Sequence, residues 1–188
     1  MENRKGFEIL QETLKSGETL LWHGASEPCR LLEESDKPRI IRYWIITCVI
    51  FAGLFGSFLG VAVDKSAVIL LVFALVMAVI LYSPCIEWKK LQNQYYGVTN
   101  RRIITCMDEE VFSVDMRLVD AVDVKELSTG NRCVLLGRKV VDEGGKQMRW
   151  RGGTPAVSGK IGEVGLLFYN VADAEGAVAA VRSARNGL

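Results

Sequence analysis

Hydrophobic and polar positions along this chain follow three rhythms. Tyr43–Val63 and Ser66–Ile86 are apolar throughout, each 21 residues without Asp, Glu, Lys or Arg. About 20 such residues in a helix cross a hydrocarbon core roughly 30 Å thick. Two fully apolar helices would otherwise need covering on every face, and a chain of 188 residues has too little other material to do it. The pattern predicts two membrane spans. Only Asp64 and Lys65 separate them, so they form a tight antiparallel hairpin.

Beyond the hairpin the rhythm shortens to that of β-strands. Gln94–Val98, Arg101–Met107, Val111–Val114, Ala121–Leu127 and Gly165–Val171 read as strands, and Arg132–Val141 as a strand pair or one bent strand. Asn tolerates a positive φ, so Thr99-Asn100 predicts a tight hairpin turn. The period then becomes helical. Ala174, Ala177, Val178 and Val181 share a face, Asp173 stands where an N-cap belongs, and Gly187 supplies a stop, giving a helix over 173–186. In the leader, Phe7, Leu10 and Leu14 fall at helical spacing, and Gly17–Gly24 reads as a strand without a local neighbour. A lone strand is unstable, so this one is expected to join the later sheet and to bury Trp22 there.

Three segments result: a leader over 1–42, a hairpin over 43–86 with spans 43–63 and 66–86, and a β domain over 87–188. Basic residues set the orientation. Arg30, Lys37, Arg39 and Arg42 precede the spans, and Lys89, Lys90, Arg101 and Arg102 follow them, against Lys65 alone in the turn. Both termini are expected in the cytoplasm, with Tyr43, Trp44, Tyr82 and Trp88 at that interface. A charged leader precedes the first apolar run, so no cleaved signal peptide is expected there.

Gly53, Gly56 and Gly60 line one face of the first span, and residues 56–60 form a G-x-x-x-G. Small residues permit close helix approach, either within the hairpin or between copies. Neither span carries an ionisable residue, which argues against a proton relay or an ion path. Cys29, Cys48, Cys85, Cys106 and Cys133 lack zinc-type spacing and read as small hydrophobes, and His23 is the only histidine. No phosphate-cradling, nucleophile-elbow or zinc-protease motif occurs, so neither enzyme activity nor a cofactor is expected.

The net charge of +1, from 23 Lys+Arg and 22 Asp+Glu, gives no reason to expect a nucleic-acid partner. Charge is uneven locally. Arg138–Lys160 carries +4 with a tryptophan among glycines, making Lys146, Arg149, Trp150 and Arg151 candidate contacts for a lipid headgroup or a partner. Asp108–Glu126 carries −5.

Gly17-Glu18, Leu21-Trp22-His23-Gly24, the two-span hairpin, the segment from Tyr96 through Thr99-Asn100 to Arg102-Ile103-Ile104, and the final strand and helix together resemble the bacterial PH-like (pleckstrin-homology-like) membrane proteins. That family was long described only as a domain of unknown function. The resemblance covers about residues 17–185. It implies a membrane-anchored α+β protein, with a small antiparallel β-barrel or sandwich capped by a C-terminal helix and no established enzymatic activity. The expected function is a multi-pass module of the inner (plasma) membrane that binds a protein partner or its own copies. The alternative is an anionic-headgroup sensor acting through 138–160.

Overall fold

The computed structural model describes residues 2–32, 37–61, 67–107, 110–127, 130–142, 156–157 and 164–187. The fold is α+β and divides into two units, Arg30–Trp88 and the remainder of the chain.

The first unit is the helical hairpin. Helix α2 spans Lys37–Val61, and α3 begins at Ala67 and runs to Gln92 in the second unit. Both extend past the apolar runs at their charged ends. Pro38 sits in the first turn of α2, where a missing N–H costs nothing. Within α2 the stretch Lys37–Phe58 has a mean hydropathy of 1.7, and Leu71–Gln92 of α3 reaches 2.0. Both are long and apolar enough to cross a membrane, and they keep most side chains outward. Phe73 of α3 meets Phe51 and Phe58 of α2 at ring distances of 6.3 and 6.0 Å.

The second unit joins the leader to everything after the hairpin. Helix α1 (Glu2–Thr13) precedes β1 (Leu20–Ala25). Strands β2 (Gln94–Thr99), β3 (Arg102–Met107) and β4 (Glu110–Asp115) complete an antiparallel sheet in the order β1-β2-β3-β4. The leader strand thus pairs with a partner more than 70 residues away, His23 lying opposite Gly97. A 3-10 turn, Met116–Leu118, leads to a second sheet. It contains β5 (Val122–Glu126), β6 (Arg132–Leu136), β7 (Ala156–Val157) and β8 (Val164–Val171), in the order β5-β6-β8-β7. Between β6 and β7 lies the short α4 (Arg138–Asp142), and helix α5 (Ala174–Asn186) ends the fold.

The main core forms between the sheets and α5. Tyr96, Val98 and Ile103 come from one sheet, Val134, Leu136 and Phe168 from the other, and Ala177, Val181 and Ala184 from the helix. The first sheet is apolar on its other face too, because α1 covers it with Leu10, next to Tyr95, Ile104 and Cys106. Burial on both sides explains why β2 and β3 do not alternate cleanly in sequence.

Three expectations need correction. The described strands do not close into a barrel. Ser26 bridges to Val171 at one corner, but β4 and β5 are edges of different sheets. Gly137 N–H bonds Ala121 O and Leu127 N–H bonds Asn131 O, so the alternate residue Val124 faces the open edge. Its N–H is taken by the Asp123 carboxylate at 2.8 Å, which blunts that edge. Secondly, Arg132–Val141 is a strand followed by a helical turn. Gly137 leaves the strand at φ +88°, and a Cβ there would stand 2.2 Å from Val164 O. Asp120 Oδ1 then accepts the Arg138 N–H. Thirdly, Trp22 is only partly buried, because β1 is an edge strand.

Candidate functional site

The residues of the resemblance motif gather where the leader meets the sheets, and their roles there are structural. Thr99 Oγ1 accepts the N–H groups of Arg101 and Arg102, which makes the hairpin turn without a positive φ at Asn100. Asn100 instead reaches the leader: its Oδ1 accepts the Thr19 N–H at 3.0 Å, and its own N–H donates to Thr19 O. Arg102 grips Glu18 in a fork, Nε to Oε1 at 2.8 Å and Nη2 to Oε2 at 2.9 Å. The same guanidinium donates to Thr13 O, at the end of α1. Burial alone would raise the Glu18 pKa. The Arg102 donors, the Lys15 N–H and both positive charges outweigh it, and the pKa is lowered.

A second cluster is buried between the sheets. Tyr96 Oη donates to Gln94 Oε1 and accepts the Tyr169 N–H at 3.0 Å. Ser26 Oγ donates to Tyr169 O, and Asn170 Nδ2 to Glu27 O. Burial pushes the Tyr96 phenol pKa far up, so it stays protonated. Asn170 holds φ +54° within β8, and its carbonyl accepts the Glu27 N–H, which fixes the chain leaving β1. The ring of Tyr96 stacks on Phe168 at 4.5 Å, and Phe168 on Trp22 at 5.8 Å. Trp22 Nε1 then donates to Asp173 Oδ2, while Asp173 Oδ1 caps α5 through the Gly176 N–H. One carboxylate therefore anchors both the leader strand and the terminal helix.

His23 lies on the outer face, its Nδ1 2.7 Å from Tyr95 Oη and its ring 4.8 Å from Phe7. It holds α1 against the sheet through Phe7 and Tyr95. None of the five cysteines is in a disulfide, and burial pushes the Cys106 thiol up to about 11, away from reactive thiolate. Among the described residues, no three His, Cys, Asp or Glu side chains cluster as metal ligands would.

Two concavities stand out among the described residues. One, about 320 Å³ and polar, lies between Gly130–Arg132 and the start of α5, where Arg132 Nη1 meets Glu175 Oε1 at 2.6 Å. The other, about 300 Å³ and apolar, is in the hairpin and is lined by Cys48, Phe51, Phe55, Phe73 and Met77 among others. The glycine face of α2 points elsewhere: a Cβ on Gly53 or Gly56 would meet nothing within 4 Å. Gly60 belongs to the same helix, but its surroundings, like Lys146, Arg149, Trp150 and Arg151, lie outside the described residues. Comparison with protein families, curated proteins and solved structures finds no match for this chain.

Proposed function

We propose that this protein is a PH-like module that works by binding, anchored in the inner (plasma) membrane by α2 and α3 with both termini in the cytoplasm. The observation that carries this reading is a contrast in burial. The α+β unit closes a core of its own, whereas only 11% and 6% of the residues in the most apolar windows of the two long helices are buried. Such helices suit a lipid solvent. The basic residues at their charged ends favour the cytoplasmic side for both termini.

The preferred binding partner is a second copy or another membrane protein, met through the glycine face. A Cβ on Gly53 or Gly56 would meet nothing within 4 Å among the described residues, which leaves the face that permits close approach open to a partner. The test is Förster transfer between labelled full-length chains diluted into bilayers, for the parent and for Gly56→Ile with Gly60→Ile. Transfer in the parent and its loss in the variant support the reading. Absence of transfer in the parent removes self-association. Salt-sensitive capture of anionic vesicles by the isolated α+β unit would point instead to the basic segment 138–160.

A further inference from the structure

We infer that Tyr43 and Trp44 form a latch across a proline break in α3, and that this latch, more than apolar contact, sets the register of the hairpin and keeps the last turns of α3 in line. Pro84 lies inside α3 and is buried. Proline has no N–H, so the carbonyl four residues earlier, Ile80, has no helical donor, and the ring crowds that carbonyl and opens the ladder beside it. A carbonyl left without a donor beside apolar side chains is costly.

The structure supplies the donors from α2. Tyr43 Oη donates to Ile80 O at 3.3 Å, and Trp44 Nε1 donates to Leu81 O at 3.1 Å. Two consecutive side chains thus serve two consecutive carbonyls, at the position where Pro84 disrupts the ladder. The need is mutual, because a phenol and an indole N–H placed against apolar helices also require acceptors. Ring contacts such as Phe51 with Phe73 are non-directional and would tolerate a slip of the helices. A donor matched to the Ile80 carbonyl does not. Without the latch, the break at Pro84 becomes a hinge in the helix that continues to Gln92, two positions before β2.

The full-length chain in lipid nanodiscs tests this. Tyr43→Phe with Trp44→Phe should accelerate amide exchange across residues 80–90 by about fivefold to thirtyfold, the scale of one or two lost hydrogen bonds. In a Pro84→Ala background the restored N–H serves Ile80 O, and the same pair of substitutions should then have a markedly smaller effect there. Equal acceleration in both backgrounds, or none in the parent, would overturn the inference. If Pro84→Ala does not fold, the infrared amide I band of isotope-labelled Ile80 decides. Tyr43→Phe should shift it to higher frequency, and an unmoved band sinks the latch.

Discussion

Arg102 joins three pieces of chain, since its guanidinium holds Glu18, the Thr13 carbonyl and the strand that carries it. The Glu18 side chain is 2% exposed, so Glu18→Gln leaves a mostly buried cation without its counter-charge. We expect a loss of about 3 kcal/mol in denaturation of the purified chain. The pH dependence follows from the lowered Glu18 pKa. A depressed carboxylate stabilises the fold above its unfolded pKa, and this contribution is lost as pH falls through the folded value. The thermal midpoint of the parent should therefore fall more steeply than that of Glu18→Gln as pH drops below the usual Glu range. Parallel curves would remove the pair from the account. Trp22 separates two contributions. Trp22→Phe keeps a ring over Phe168 but loses the Asp173 bond, a cost of about 1 kcal/mol. Trp22→Ala should cost about 3 kcal/mol, near the low end for a large aromatic because the indole is only partly buried.

Among the elements, α1 owes its close seating on the sheet to Gly97. A Cβ on Gly97 would stand 2.7 Å from Leu10 Cδ1, and Leu10 is fully buried with nowhere to yield. Gly97→Val should undock α1 at a cost of about 1–3 kcal/mol. Faster amide exchange and proteolysis within residues 2–13, with β6 and β8 unchanged, would show it. The elements themselves were largely legible, because strand content and helical spacing are local properties. Asp173 as the N-cap of α5 was readable for the same reason, since the cap needs only its own first turn. The short α4 was not. It depends on a positive φ at Gly137 and on Asp120, 18 residues away from Arg138, and neither shows in the mostly apolar run over 132–141.

At the scale of the molecule, the leader and the chain after the hairpin make one folding unit. Deleting Met1–Ser26 removes α1 and β1 and bares β2 along an edge and a face. The fragment Lys89–Leu188 should then lose cooperative unfolding, followed by tryptophan fluorescence or calorimetry. A fragment of unchanged stability would contradict the inserted-hairpin architecture. For the membrane reading, reporters at either terminus should be cytoplasmic and one placed between Asp64 and Lys65 external. The reverse pattern would invert the orientation.

The sequence by itself determined the apolar helices, most of the strands and the capped terminal helix, because hydropathy and period act through nearby residues. It also marked Tyr96, Thr99, Asn100 and Arg102 as a group, without revealing that they hold the leader to the sheet. Tertiary structure alone decided that the sheets remain open, that Trp22 stays at an edge, that Gly53 and Gly56 face away from α3, and that Tyr43 and Trp44 meet the carbonyls beside Pro84. Each of these depends on which distant backbone group or side chain arrives at a given point. No local pattern carries that information: a donor's partner is chosen only when the chain has folded back on itself.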